Sequence, residues 1–351
     1  MDKELLSIKD LIVEYSTIRG VAKAVNGVSL TINRGEVFCL VGESGCGKST
    51  LGLSILRLLP KSGKIINGQI IIKGQNILEL SEKIMNEKIR GKEITMITQN
   101  PQRSLNPVFK ISDQIIDVLR FHEENRDQRD KFKLTTQSSR KKVIWKRKAI
   151  DMLDKMRIAD AGDRMREYPH QFSGGMKQRV IAAMAFISNP SLLIADEPTT
   201  SLDVTIEAQI INLLKGLVKE YRTAVLYITH DLGVAWEISD QIAVMYAGNI
   251  VERANAESLF KKPQHPYTKA LLKCLPGTMT GNRMRKKQLN PIPGQVPNFI
   301  QPPPGCRFHP RCPYSIRICK EQQPILQEIS SGHFVACFKR GTNNNATTSS
   351  K

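Results

Sequence analysis

Eight consecutive residues early in the chain have the types and spacing of a phosphate-binding loop. The run Gly42-Glu43-Ser44-Gly45-Cys46-Gly47-Lys48-Ser49 fits the pattern G-x-x-x-x-G-K-[ST] at every fixed position. Glycine backbones can curl until several N–H groups face phosphate oxygens, and a helix that follows adds partial positive charge. Lys48 would reach the terminal phosphates, and the Ser49 hydroxyl would ligate Mg²⁺. The loop therefore predicts a nucleotide site.

Four polar residues that end predicted strands could complete such a site. Asp196 closes an apolar run and is suited to holding Mg²⁺. Glu197, the next residue, could act as the general base that polarises an attacking water. Gln99 could contact Mg²⁺ or water, and His230 could contact a γ-phosphate. Each of the four alone would also be typical of a structural role, but with the phosphate loop upstream they favour nucleotide hydrolysis.

The segment Phe172-Ser173-Gly174-Gly175-Met176-Lys177-Gln178-Arg179 predicts a second anion-binding helix start. One chain does not need two such starts for one nucleotide. The economical interpretation is that each γ-phosphate lies between this turn of one subunit and the phosphate loop of another. A helix cap without any ligand is the structural alternative.

The elements that must position these residues alternate between strands and helices. Residues 192–195 and 224–229 are apolar throughout, as in a parallel sheet buried on both faces. The helix predicted over 207–221 lies between them and makes a βαβ unit. Residues 1–40 are predicted to be rich in strands, and residues 242–251 to form a hairpin around Ala247-Gly248-Asn249.

Composition and charge limit the class of protein. The chain has 351 residues and a formal net charge of +19. No apolar run is long enough to span a membrane and no leader segment opens the chain, so a cytosolic protein that reaches a membrane through partners is expected. Part of the charge lies in a basic insert over 122–148, which indicates a solvated helix or a surface near anionic lipids.

Four of the seven cysteines are concentrated in the C-terminal part of the chain. The spacing Cys306-x5-Cys312-x6-Cys319-x17-Cys337, among prolines, predicts a small unit stabilised by a metal. The spacing does not match a paired zinc motif, but His309 and His333 are alternative ligands and zinc remains open. Four free thiols are the structural alternative.

Taken together, the motifs resemble those of ATP-binding subunits of ATP-binding-cassette (ABC) transporters. The Walker A, Q-loop, signature, Walker B, D-loop (Ser201-Leu202-Asp203) and H-loop segments occur in the family's order over about residues 10–250. The resemblance implies an α/β fold, with a P-loop NTPase core, an antiparallel β subdomain and an α-helical subdomain. It also implies that Tyr15 stacks on adenine.

The site residues predicted in this way fall into three groups. Catalytic roles are assigned to Glu197, His230 and Lys48, and Mg²⁺ ligation to Ser49, Gln99 and Asp196. The predicted ATP-binding residues are Tyr15, Gly42, Ser44, Gly45, Cys46, Gly47, Lys48, Ser49, Thr50, Gln99, Asp196, Ser173, Gly174, Gly175 and Asp203.

Several details resemble the dipeptide and oligopeptide importer branch of this family. Phe172 and Met176 replace the commonest signature residues with the form usual in that branch. The C-terminal segments His265-Pro266-Tyr267-Thr268, Pro291-Ile292-Pro293-Gly294 and Gly305-Cys306-Arg307-Phe308-His309-Pro310-Arg311-Cys312-Pro313 match it as well. The resemblance implies that Cys306, Cys312, Cys319 and Cys337 ligate a [4Fe–4S] cluster, with zinc as the alternative.

The predicted organisation is a nucleotide-binding domain over 1–260, with its helical subdomain at about 100–188. A C-terminal extension with the metal-binding cysteines follows over 261–340, and a disordered tail over 341–351.

The predicted function is ATP hydrolysis that energises uptake of dipeptides or oligopeptides. Expected partners are a second, different ATPase subunit and two membrane permeases, with an extracytoplasmic binding protein acting indirectly and no nucleic acid. The expected location of the chain is the cytoplasmic face of a bacterial cell membrane. The alternative is a non-transport ABC ATPase acting on nucleic acid or ribosomes, which the single Walker A motif disfavours.

Overall fold

The computed structural model describes residues 3–99, 104–124, 137–200, 203–274 and 292–339. The strands are β1 (Glu4–Thr17), β2 (Gly20–Asn33), β3 (Val37–Val41), β4 (Gly63–Ile72), β5 (Gln75–Asn76), β6 (Ile94–Ile97), β7 (Leu192–Asp196), β8 (Ala224–Thr229), β9 (Gln241–Tyr246), β10 (Asn249–Asn255), β11 (Gln327–Ser330) and β12 (His333–Val335). The helices are α1 (Lys48–Ile55), α2 (Glu82–Ile84), α3 (Ile111–Glu124), α4 (Gln137–Lys155), α5 (Ala161–Arg164), α6 (Gly174–Phe186), α7 (Val204–Tyr221), α8 (Leu232–Ile238), α9 (Ala256–Lys261), α10 (Pro266–Lys273) and α11 (Arg317–Glu321).

The main sheet has eight strands in the order β11-β12-β10-β9-β3-β8-β7-β6. The strands from β9 to β6 are parallel, and the predicted βαβ unit of β7, α7 and β8 is confirmed. The predicted hairpin of β9 and β10 is also confirmed, and its second strand runs antiparallel. The sheet is therefore mixed, with a parallel centre and an antiparallel edge.

Strand β3 shows why the centre of this sheet is apolar on both faces. All five of its residues are buried. Val37, Cys39 and Val41 belong to one hydrophobic cluster, which also includes the helices of the 111–186 region. Phe38 and Leu40 belong to a second cluster under the smaller sheet. Because successive side chains of a strand point to opposite faces, one short apolar strand fills two cores.

A second sheet covers one face of the first. It is antiparallel, with the order β2-β1-β4-β5. The long strands β1 and β2 pair from Glu4–Asn33 to Thr17–Gly20, with irregular register at several points. Its buried residues pack with α1 and with the main sheet in the second cluster. This sheet places Tyr15 and Ala24 beside the phosphate loop.

The helices α3 to α6 form a block on the other side of the core. The α3 and α4 helices are joined by Trp145, whose Nε1–H donates to Glu123 Oε2 at 2.8 Å. Helix α6 packs against α4 and against strand β6, so the block is continuous with the sheet edge that carries Gln99.

The C-terminal extension contributes two strands to the main sheet. Strand β12 pairs with β10, and β11 pairs with β12 at the sheet edge. The rings of Tyr246, Tyr267 and Phe308 pack together, with centroids 4.6–5.4 Å apart. The extension is thus built into the sheet edge and into an aromatic cluster next to β9.

Among the residues that the structure describes, no helix is both long and apolar enough to cross a bilayer. Some predicted features lie outside the described residues: the tail over 341–351, residues 125–136 of the basic insert, Pro291, and Ser201 and Leu202 of the D-loop segment.

Candidate nucleotide-binding site

The predicted phosphate loop joins β3 to α1 at the carboxyl end of the parallel strands. Gly47 caps α1 with a φ of 108°, a conformation that favours glycine. A Cβ atom at Gly47 would lie 2.3 Å from the carbonyl oxygen of Ala24, and one at Gly42 would lie 2.2 Å from that of Met245. Both glycines are therefore required by close backbone approach, and Gly47 also by its positive φ.

Lys48 lies inside the loop and not in solvent. Its residue surface is 4% exposed. Its ammonium donates hydrogen bonds to the carbonyl oxygens of Gly42 at 2.8 Å and Glu43 at 3.0 Å. The loop thus surrounds a fixed positive charge, which is what binding of a polyphosphate requires.

Ser49 and Asp196 bring two hard oxygen ligands together across the sheet. The Ser49 hydroxyl donates to Asp196 Oδ1 at 3.1 Å. Burial raises the pKa of Asp196, and the neighbouring Glu197 charge adds to this, while the Ser49 hydrogen bond and the Lys48 charge oppose it. A buried carboxylate beside a hydroxyl fits a divalent cation, which would favour its ionised form.

Glu197 is held by groups from three segments. Its backbone has a φ of 47°, and its N–H donates to Ile228 O at 2.9 Å. His230 Nδ1 lies 3.2 Å from Oε1, while Thr200 Oγ1 and Gln99 Nε2 donate to Oε2 at 3.1 and 3.5 Å. The left-handed backbone and these partners aim the carboxylate at the end of β8.

The pKa of the Glu197 carboxyl lies below its ordinary value. Burial alone would raise the pKa, but the hydrogen bond and charge of His230 lower it, helped by Thr200 and Lys48. The carboxylate is therefore ionised near neutral pH, as a group that accepts a proton from water must be.

Tyr15 reaches the site from the antiparallel sheet. Its hydroxyl lies 3.2 Å from Thr50 Oγ1 in the first turn of α1. Its ring packs against Gly63, where a Cβ atom would lie 2.7 Å from Tyr15 Cε1. The ring is thus fixed beside the helix that follows the phosphate loop.

The signature turn forms the start of α6. Ser173 caps α6 by accepting the Met176 N–H at 3.3 Å. Gly175 approaches α7 so closely that a Cβ would lie 2.8 Å from Ile206, and Asp203 caps α7 through the Ile206 N–H at 2.9 Å. No hydrogen bond between described residues joins this turn to the phosphate loop. Within the described residues, direct contacts connect Ser49 with Asp196, and Glu197 with Gln99 and His230.

The four C-terminal cysteines line a common cavity, together with His265 and His309. All are free thiols. Burial raises the pKa of Cys306 to about 11, and the other three thiols add to the increase. Within the described ranges, however, no group of three or more His, Cys, Asp or Glu side chains is arranged to hold a metal ion. The predicted metal-binding extension is thus not supported by the geometry.

His333, one predicted alternative metal ligand, is engaged in a different contact. Its Nε2 lies 2.7 Å from the buried carboxylate of Glu252. His309 does line the cavity, and its Nδ1 lies 3.0 Å from Cys306 O.

Sequence reasoning missed the residues by which the extension reaches the phosphate loop. Arg311 pairs with Glu43 through both carboxylate oxygens, and Tyr267 accepts the Glu43 N–H. The one signal in the sequence was Glu43 itself, because an acidic residue in a loop for anionic phosphates calls for a neighbouring cation.

Comparison with known proteins identifies two family models along the chain. The model described as ABC transporter matches residues 25–200. The model described as oligopeptide/dipeptide transporter, C-terminal region, matches residues 251–319.

Curated relatives match along almost their whole length. A Sinorhizobium fredii protein named "probable peptide ABC transporter ATP-binding protein" is 46% identical over 336 residues, covering 95% of each chain. The dipeptide transport ATP-binding protein DppD of Bacillus subtilis is 42% identical and covers 96% of this chain and 95% of its own. The oligopeptide transport ATP-binding protein OppD of Escherichia coli is also 42% identical, with 95% and 93% covered. These matches do not favour a nucleic-acid or ribosome ATPase.

Among solved structures, an ATP-binding cassette determined as a dimer in a post-hydrolysis state with ADP and Pi aligns with a TM-score of 0.59. It is 26% identical, and the alignment covers 72% of this chain and 99% of the cassette.

Proposed function

This chain belongs to the ATP-binding subunits of ABC peptide transporters, and we propose that it hydrolyses ATP in a site shared between two subunits. As a member of the dipeptide/oligopeptide importer branch, it is an ATPase coupled to transport. The observation that carries the proposal is the convergence of two pairs, Ser49 with Asp196 and Glu197 with His230, at the mouth of one phosphate loop.

Each residue at this mouth has a distinct role in the proposal. Lys48 and the loop N–H groups neutralise the phosphates, which lowers the cost of charge developing on the γ-phosphate. Ser49, Gln99 and Asp196 hold Mg²⁺, which supplies further charge neutralisation when bound. Glu197 accepts a proton from the attacking water, and His230 keeps the carboxylate ionised and oriented.

The remaining predicted ATP-binding residues divide between two chains. Tyr15, beside the first turn of α1, stacks on adenine of its own subunit's nucleotide. Ser173, Gly174, Gly175 and Asp203 act on the nucleotide of the partner subunit. Support comes from their place at the starts of α6 and α7, where Ser173 and Asp203 are exposed.

The proposed assembly contains a second ATPase subunit encoded by a different gene and two permeases, with the chain on the cytoplasmic face of the membrane. Closure of the two ATPase subunits over ATP supplies work to the permeases because the closed state binds ATP more tightly than the open state. The exposed Val108 and Phe109, after the Q-loop, lie in the segment proposed to meet a permease helix.

Purification of the assembled transporter tests this function. The chain, its partner ATPase and both permeases in lipid vesicles should hydrolyse ATP faster when peptide and its binding protein are added. Replacing Lys48 by Ala should abolish this activity while the subunits still co-purify. Full-speed hydrolysis by the isolated monomer, or salt-sensitive binding to nucleic acid with no permease association, would contradict the proposal.

We also propose that Cys306, Cys312, Cys319 and Cys337 bind a metal, either a [4Fe–4S] cluster or zinc. The branch resemblance supports this, and the four thiols line one cavity. A bound cation would stabilise the thiolates of Cys306, Cys312 and Cys337, whose pKa burial otherwise raises. Metal content of anaerobically purified protein tests it. Iron with visible absorption identifies a cluster, and zinc identifies a mononuclear site. Whichever metal is present should be lost in Cys312→Ser but not in Cys274→Ser. Protein free of both metals would refute it.

A further inference from the structure

The C-terminal extension contacts the phosphate loop at Glu43. The Arg311 guanidinium meets the Glu43 carboxylate in a bidentate pair, with Nη1 to Oε2 at 2.8 Å and Nη2 to Oε1 at 3.1 Å. The Tyr267 hydroxyl accepts the backbone N–H of Glu43 at 3.1 Å. We call these three residues the Glu43 clasp.

The surroundings of Arg311 fix its guanidinium against Glu43. Its side chain is only 5% exposed. Its remaining donors bond Pro293 O at 2.9 Å, Ile292 O at 3.3 Å and the Tyr246 hydroxyl at 3.3 Å. All five N–H groups of the guanidinium are thereby used, so its plane cannot turn away from the loop.

Every polar group of Glu43 is likewise occupied. Its carboxylate is paired with Arg311 and its N–H with Tyr267, while its carbonyl oxygen accepts the Lys48 ammonium at 3.0 Å. The extension therefore fixes the loop from outside, and Lys48 fixes the same residue from inside. When Lys48 turns to a phosphate, the hold on Glu43 from the extension remains.

The clasp neutralises a negative charge that lies within the phosphate loop. Glu43 places a carboxylate within a loop that binds an anionic triphosphate, and an unpaired carboxylate there repels the ligand. Arg311 neutralises this charge at a partly buried position where solvent screening is weak. The Tyr267 contact adds backbone order, since a loop already in its binding conformation loses less entropy when phosphate enters.

From these contacts we infer that Arg311 and Tyr267 are positioning residues of the ATP site, acting through Glu43. The C-terminal extension thereby sets the ATP affinity of the subunit. This inference rests on the nucleotide-binding role proposed above and goes beyond it, because it assigns to the extension a direct part in the phosphate loop.

ATP binding to the full-length chain, measured by calorimetry, tests the clasp. Arg311→Gln should weaken ATP binding by about tenfold or more, because the Glu43 charge is left unpaired. The double variant Glu43→Gln with Arg311→Gln should return to within about threefold of wild type, since it has no charge to repel phosphate. A loss of packing alone would not be repaired by the second change.

The salt dependence of ATP binding distinguishes charge repulsion from misfolding. The defect of Arg311→Gln should shrink as salt rises from about 0.05 M to about 0.5 M, because screening reduces the repulsion. Tyr267→Phe, which keeps the ring but loses the acceptor, should weaken ATP binding by about twofold to fivefold without this salt dependence. In the assembled transporter both variants should raise the KM for ATP and leave kcat within about twofold.

Arg317→Ala is the matched control. Arg317 pairs with Glu321 at 2.8 Å in the same extension, but its side chain is 91% exposed. This variant should bind ATP as wild type does. If Arg311→Gln does not fold, Arg311→Lys supplies the same comparison, with a loss of about threefold expected because the bidentate geometry is lost.

Two results overturn the clasp: wild-type ATP affinity in the folded Arg311 variant, or a double variant as weak as Arg311→Gln alone. A wild-type chain that binds no ATP would instead overturn the nucleotide site on which the clasp depends.

Discussion

Glu252 on β10 and His333 on β12 form a buried contact, with His333 Nε2 2.7 Å from Glu252 Oε1 and the Glu252 residue wholly inaccessible to solvent. The same carboxylate accepts the backbone N–H groups of Gln264 at 2.7 Å and His265 at 2.9 Å. One side chain thus joins the core sheet, the connection into α10 and the last strand of the extension.

Replacing Glu252 by Gln should destabilise the protein by about 2–4 kcal/mol. The amide has one acceptor oxygen where the carboxylate had two, so its NH₂ group would face a buried N–H donor. Thermal or denaturant unfolding measures the loss. Glu257→Gln, at an exposed pair with Lys261, is the control and should change stability by less than about 0.5 kcal/mol. Equal effects at the two positions would contradict the importance of the buried contact.

His265 should make stability depend on pH between about 4 and 6.5. Burial lowers the pKa of His265 from 6.5 to about 4, with Lys269 adding to this and Glu252 opposing it. Its Nδ1 accepts the Tyr267 N–H at 3.1 Å, so the folded state needs this nitrogen unprotonated. In this window the unfolded chain binds more protons, and stability therefore falls as the pH falls.

The variant His265→Asn tests this pH dependence because Asn keeps the capping acceptor and does not titrate. Between pH 6.5 and 4 the wild type should lose up to about 3 kcal/mol more unfolding free energy than the variant. Urea unfolding at several pH values measures the difference. Parallel pH profiles for the two proteins would rule out the assigned role of His265.

Gly47→Ala should damage the phosphate loop. The residue has a φ of 108°, and the added Cβ would lie 2.3 Å from Ala24 O, so the backbone must shift. We expect ATP affinity to fall by about tenfold or more and stability by about 1–3 kcal/mol. Gly216→Ala in α7 is the control, because nothing lies within 4 Å of the new Cβ and Ala favours helices by about 1 kcal/mol. A loop variant with normal ATP affinity would contradict the argument.

Glu197→Gln should separate ATP binding from hydrolysis. The amide keeps the shape of the side chain but cannot accept a proton, so kcat of the assembled transporter should fall by about 100-fold or more. ATP affinity should stay within about threefold, because the phosphates are held by the loop. Stopped hydrolysis should leave ATP-bound subunits associated, which size-exclusion chromatography detects. Near-normal turnover would show that another group is the base.

Short-range features of this fold could be predicted because their causes are local. A short apolar run between polar segments predicts a buried strand, and β3, β7 and β8 are buried strands of this kind. Polar residues at the ends of parallel strands meet at one sheet edge, so the proximity of Ser49, Asp196 and Glu197 followed from order alone.

Long-range pairings had no such local signal. The extension was predicted as an appended unit with a metal, but the pairing of β12 with β10 depends on which sheet edge is free once the core has folded. The metal prediction rested on cysteine spacing, and spacing does not specify side-chain directions. Arg311 and Glu43 are separated by 268 positions, and no periodicity relates them.

The amino-acid sequence by itself determined the phosphate loop, the strands that carry the acids and the family, because each depends on neighbours within a few residues. Only the tertiary structure decided that the extension completes the sheet and holds Glu43. Those contacts form between surfaces that exist only after both parts have folded, and their energies depend on burial and mutual orientation, which residue order does not record.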